Sequence, residues 1–243
     1  GKESAWPHNL LSYGDALYFV ADDGQHGHEL WKHDGDAAVR VSDIWPGADD
    51  ADPTALIVYD NALYFEASDG PGSTGMYRFA GGAIENVYDS LSGDRPERFL
   101  DPAVLGSVLM FSGQADEAAG GWELYRYDGA GIELAADITD IAGAPASEHS
   151  MPDHLYASGD VLYFSARGTA DQGRELWMYT PTDGATLAAH VEGFEDWELC
   201  SLNPNLPPEL TVTKLDDIVT DDGSGHLPGN LTVYDGDLYF MAA

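Results

Sequence analysis

Two histidines one residue apart, His26-Gly27-His28, are the first place where this sequence sets metal-ligating side chains at a useful spacing. Alternate residues of an extended segment point the same way, so the two imidazoles can share one transition ion. A structural site wants about four ligands in fixed geometry, and no second cluster of matching spacing stands elsewhere. The competing reading is a pair of solvated turn histidines.

Acidic loops offer a different chemistry. Asp49, Asp50 and Asp52 stand together, as do Asp216 and Asp217, and Asp221 and Asp222. Crowded carboxylates repel unless a cation sits among them, and Ca²⁺ takes about six to eight oxygens in flexible geometry. None of these loops has the EF-hand pattern or the glycine-rich tandem calcium repeat. Ca²⁺ is therefore the one cofactor expected, set against plain hydrated surface.

Phe194, Trp197 and Cys200 lie in a stretch that also holds Pro204 to Pro208. A projecting loop is where binding residues tend to sit, so Trp197 and Phe194 are the candidate ligand contacts, stacking on a sugar ring or anchoring a neighbouring subunit. The alternative is a loop packed on its own sheet. No catalytic residue is assigned: the chain has no G-x-S-x-G elbow, no H-E-x-x-H and no phosphate-cradling glycine loop. Carboxylate pairs of the kind that cleave glycosides are too numerous here to discriminate.

The setting of these residues follows from charge. With 43 Asp+Glu against 10 Lys+Arg, the 243-residue chain carries a formal charge of −33. Such a surface repels nucleic-acid phosphates and anionic lipid, so neither nucleic acid nor membrane insertion is expected. Only Lys2, Lys32 and Lys214 are lysines. The balance suits a marine or halophilic source, where salt shrinks self-repulsion. A disordered acidic chain is excluded by 44% hydrophobic and 11% aromatic residues. One cysteine forbids an intrachain disulfide, and no apolar run reaches the roughly 20 residues of a membrane span.

What must position the candidates is a repeat. The triplet Leu17-Tyr18-Phe19 returns at 63–65, 109–111, 162–164 and 238–240, and Glu29-Leu30-Trp31 returns at 75–77, 123–125 and 175–177. A Pro and a Leu precede the triplet at fixed distance, as in Pro7/Leu10/Leu17 and Pro53/Leu56/Leu63; only the third copy departs, with Phe99 in the proline place ahead of Pro102 and Leu109. Turn dipeptides such as Asp60-Asn61 join the first two strands, and a fourth strand closes on Asp43, Asp89 or Asp137. Four short antiparallel strands about every 46 residues, without helical periodicity, predict an all-β fold: a β-propeller-like array of four-stranded antiparallel blades. The repeats run about 7–52, 53–98, 99–151, 152–227 and a partial 228–243, with an insertion over about 185–226. Four complete blades and part of a fifth are expected in one domain, 1–243. The half blade leaves an open edge, which favours a molecule continuing beyond this stretch.

Repetition also sorts roles. Trp31, Tyr77, Tyr125 and Trp177 recur in every blade and read as packing between blades, Glu29 reads as structural, and the Asp43 series reads as capping the amides of the following turn.

The runs ELWKHDG (29–35), VSDIWPG (41–47) and PTALIVYDNALYFEASDG (53–70) resemble the ELWxxDGT repeat of secreted bacterial proteins. Glu29, Leu30, Trp31, Asp34 and Gly35 match it, as do Asp43, Ile44, Pro46 and Gly47; Asp36 replaces the threonine after the Asp-Gly pair. The likeness is strongest over 8–70, fair over 152–180 and weak over 71–150. It implies an extracellular or cell-surface β-repeat protein and brings no catalytic residues. The expected function is a binding or assembly module, its partners being copies of itself, other surface proteins or glycans. The rival is a polysaccharide-active enzyme using carboxylates in the central pocket of the propeller.

Overall fold

The computed structural model describes residues 5–87, 96, 98–114, 121–138, 150–167, 174–189, 198–202, 213–217, 229–234 and 237–242. The chain is all-β, with propeller-like four-stranded antiparallel blades. The first sheet is β1 (His8–Tyr13), β2 (Ala16–Asp22), β3 (His28–His33) and β4 (Ala38–Arg40). The second is β5 (Thr54–Tyr59), β6 (Ala62–Gly70), β7 (Ser73–Ala80) and β8 (Ala83–Asn86). The third is β9 (Leu100–Leu105), β10 (Val108–Gln114), β11 (Trp122–Tyr127) and β12 (Ile132–Ala136). The fourth is β13 (Asp153–Ser158), β14 (Val161–Arg167), β15 (Arg174–Thr180) and β16 (Gly184–Ala189). In all four the strands pair in chain order. The chain divides into two compact units, 1–102 and 103–243.

Local chemistry sets the repeating shape. Between β5 and β6 the turn residues Asp60 and Asn61 both take positive φ, 43° and 55°, as a two-residue hairpin turn matched to strand twist requires. The first strands of the first, second and fourth sheets carry an irregularity at the same place: the register slips between His8 and Leu11, Thr54 and Ile57, and Asp153 and Tyr156. Asn9, Ala55 and His154, each two residues beyond the repeat's proline, sit there at φ 50°, 53° and 53°. The bulge is thus part of the blade and not an accident of one copy.

The triplet strands are buried on both faces in the second and fourth sheets: Leu63, Tyr64 and Phe65, and Leu162, Tyr163 and Phe164, are at most 2% exposed. In the first unit Tyr18, Leu30 and Ala51 pack with Leu63, Phe65, Tyr77 and Phe79. In the second, Met110, Leu124, Ala136 and Ile138 pack with Leu162, Phe164, Trp177 and Tyr179. Tyr77 and Trp177 therefore do pack between neighbouring sheets.

The fifth sheet differs in assembly. It contains β17 (Glu198–Leu202), β18 (Thr213–Asp217), β19 (Gly229–Tyr234) and β20 (Asp237–Ala242), in the order β18-β17-β20-β19. The last repeat has two strands of its own, as expected, but its third and fourth positions are filled by strands made earlier. Cys200 pairs with Phe240 in the register that Trp31 keeps with Phe19 and Trp177 with Phe164. Part of the insertion over 185–226 is thus blade, and the edge of β20 expected to lie open is occupied by β17.

Candidate functional site

The loop at 47–52 and the start of β3 are joined through one residue. His28 donates its backbone N–H to Asp50 Oδ1 at 2.7 Å, and its carbonyl accepts the amides of Ala51 and Asp52 at 3.2 and 3.1 Å. Gly27 makes this approach possible: at φ 63°, a Cβ there would lie 2.2 Å from the Asp49 carbonyl oxygen. The consequence is a cluster of side chains. His28 Nδ1 lies 3.0 Å from Asp50 Oδ1 and 3.7 Å from Asp52 Oδ1, and one ligand atom from each of the three falls within 4.8 Å of the others. His8 stands beside them, its ring 5.6 Å from that of His28 at 66°. Its Nδ1 is 2.8 Å from the Trp6 carbonyl oxygen. Trp6, Pro7, His8 and His28 border an open hollow of about 610 Å³, in which Trp6 is 70% exposed.

Of the residues singled out in the sequence, the structure gathers His28, Asp50 and Asp52. It separates His26 from them. His26 lies in the turn before β3, and its Nδ1 contacts Asp23 Oδ2 at 2.8 Å. That hydrogen bond, with those from the Gln25 and His26 amides, holds the Asp23 carboxyl below its ordinary range. The alternation that would have aimed both imidazoles one way needs both residues on a strand, and only His28 is on one. Asp49 contributes its main chain at Gly27 and is outside the group. Asp221, Asp222, Phe194 and Trp197 lie outside the described residues.

The buried carboxylates have another use. Glu29 is fully buried and accepts the amides of Ile44 and Trp45 at 3.0 and 3.4 Å, together with the Ser42 hydroxyl. Burial pushes its pKa up against these three hydrogen bonds, which pull the other way, and the balance stays above the ordinary value. Glu123 repeats the bond at the same spacing, taking the Ile138 amide at 2.7 Å, and adds the Ser150 hydroxyl at 3.0 Å. In the second sheet, where Gly75 replaces this glutamate, Glu66 on β6 holds the Phe99 amide at 2.7 Å and the Arg98 guanidinium at 2.8 Å. The expectation that Asp43 caps the following turn is corrected: Glu29 takes those amides, and Asp43 pairs with Arg40 at 3.0 Å.

One further cavity, of about 390 Å³, is lined by Asp43, Ile44, Asp69, Tyr77 and Asn86 among others. Tyr77 accepts a hydrogen bond from Asn86 Nδ2 at 3.3 Å. The sequence pattern gave no hint of it, because its walls come from two repeats.

No family model matches this chain, and no curated protein does. Among solved structures it is similar to a puromycin hydrolase S511A mutant complexed with PGG, at 15% identity and a TM-score of 0.50, over 79% of this chain and 30% of that one. A prolyl endopeptidase structure aligns at 9% identity and TM-score 0.47, covering 78% of this chain and 27% of the other. A thermostable family-43 glycoside hydrolase aligns at 14% identity and TM-score 0.37, over 97% of this chain and 87% of that one. The chain spans under a third of the first two, and at such identity the first likeness speaks to fold alone.

Proposed function

We propose that this chain is an extracellular or cell-surface binding and assembly module whose principal partner is another copy of itself. The observation that carries the reading is a blade face left only half covered among the described residues. Leu17 and Phe19 alternate along β2, and Trp31 faces Phe19 across the ladder, so the three share one face. Their counterparts Leu63, Phe65 and Tyr77 are sealed by Tyr18 and Leu30, and Leu162, Phe164 and Trp177 by Met110 and Leu124. On the first sheet Leu17 is instead 37% exposed, while Phe19 and Trp31 are half-buried. A face built to be covered, on a repeat that elsewhere covers it with its own kind, suits isologous pairing of two copies. The resemblance to the ELWxxDGT repeat supports the surface location, and exposed Trp6 offers a platform for a glycan or another surface protein.

Catalysis on polysaccharide is the weaker reading. Glu29 is fully buried and spends its oxygens on Ser42, Ile44 and Trp45, which leaves no part of the carboxyl open to a substrate. Light scattering on the purified chain in about 0.5 M salt tests the proposal: the native protein forms dimers or larger species, and Leu17→Asp, with its circular dichroism unchanged, is monomeric. A native chain that stays monomeric up to high concentration sinks the assembly reading, and release of reducing ends from a polysaccharide would install the enzyme in its place.

A further inference from the structure

We propose that His28, Asp50 and Asp52 bind one divalent first-row transition ion, of the zinc or manganese kind, with His8 as fourth ligand at the mouth of the Trp6 hollow. The distances fit. Ligand atoms about 2.0–2.2 Å from such an ion, in tetrahedral array, lie about 3.3–3.5 Å apart, and His28 Nδ1 is already 3.0 and 3.7 Å from the two carboxylates. The backbone holds that arrangement before any ion arrives, since His28 is bonded to the 50–52 loop through both its amide and its carbonyl. Ordering the site therefore costs little, in contrast to a floppy acidic loop.

Charge and tautomer supply the rest. Among the described residues, Asp50 and Asp52 have ion-pair contacts with His28 and with no lysine or arginine. Two carboxylates share a single imidazole, an arrangement that a divalent ion completes. An ionised carboxylate only accepts, so the neutral His28 imidazole facing Asp50 carries its proton on Nδ1 in the ion-free protein; when the metal takes the Nδ1 lone pair that proton moves to Nε2, and the imidazole stays neutral. At His8 the neighbour of Nδ1 is a carbonyl oxygen, which also only accepts. Its Nδ1 is therefore the protonated nitrogen, and Nε2 keeps its lone pair. A metal-binding histidine is commonly fixed in this way by a backbone carbonyl. The two rings are 5.6 Å apart and the His8 nitrogens stand outside the three-residue group, so His8 completes the set only by moving toward the ion. Imidazole nitrogen selects against Ca²⁺, which asks for about six to eight oxygens. Trp6 and Pro7 then wall the outer side, where a bound oxygen ligand can enter.

The site stands apart from the self-association face, so either proposal can fail alone. The test is calorimetric titration of the full chain with Zn²⁺, and separately Mn²⁺, in a buffer holding millimolar Ca²⁺ to fill loose acidic positions. One ion per chain is expected. Asp52→Asn, at an exposed side chain, weakens binding at least tenfold; His28→Gln abolishes it; His8→Ala weakens it; and His26→Ala leaves it within about twofold. Thermal melts check that each variant is folded, and Zn²⁺ raises the melting temperature of the native chain but not of His28→Gln. Several weak ions bound equally by all variants, displacement by Ca²⁺ at equal concentration, or a one-to-one site that survives both His28→Gln and Asp52→Asn overturns the proposal.

Discussion

At the residue scale, the glutamate of the repeat is what ties the first and third blades to their exit turns. Glu29 and Glu123 reach 15 residues along the chain to the amides of Ile44 and Ile138. Glu29→Ala leaves two amides without an acceptor in a buried place, at a cost of about 1–3 kcal/mol, readable by urea unfolding. Glu29→Gln is milder, because its carbonyl oxygen keeps the two amides and its NH₂ can donate to the Ser42 oxygen. The pH dependence has a definite sign. Burial raises the Glu29 pKa in the folded state, so its stabilising contribution is complete below about 4.5, the unfolded value, and is lost as pH rises through the folded value. Relative to the native chain, Glu29→Gln should gain stability as pH climbs from about 4.5; a difference flat across that range would show the carboxylate to be no worse off inside than in water. The structural role of Glu29 was legible from its recurrence. The identity of its partner was not, because Asp43 stands next to the turn in sequence while Glu29 reaches it only across the sheet.

At the element scale, the strands of the Leu-Tyr-Phe and Glu-Leu-Trp segments could be read directly, since alternation and turn residues repeat at near-constant spacing. The origin of the fifth sheet could not. Glu198-Leu199-Cys200 keeps the first two residues of the Glu-Leu-Trp pattern but puts cysteine in the aromatic place, and the Leu-Tyr-Phe segment of its own repeat, 162–164, is already paired with 177–179. Its register partner, Phe240, lies 40 residues downstream. A proline at 199 removes a donor from β17 and disfavours the strand. Leu199→Pro should therefore expose the amides of β20 to hydrogen exchange while those of β2 and β6 keep their protection. Equal protection of β20 in the variant and the native chain would remove β17 from that sheet. The metal cluster shows the same limit at closer range: Asp50 and Asp52 were legible as acids, but only the bonds through the His28 backbone bring them to that imidazole and leave His26 with Asp23.

At the scale of the whole molecule, a net charge of −33 works against every compact state. Raising ionic strength from about 0.1 to 1 M shortens the screening length from about 10 to 3 Å. The melting temperature should rise over that interval, and a flat or falling profile would show the acids to be locally neutralised. The order of the fifth sheet also has a consequence in time. β17 and β18 are synthesised before their partner: β18 ends at Asp217 and β20 begins at Asp237. At about 5–20 residues per second, the ribosome takes roughly one to four seconds over the interval. Throughout it the β17 edge carries unanswered amides and carbonyls in a nascent chain, so its fidelity depends on how crowded its neighbours on the polysome are.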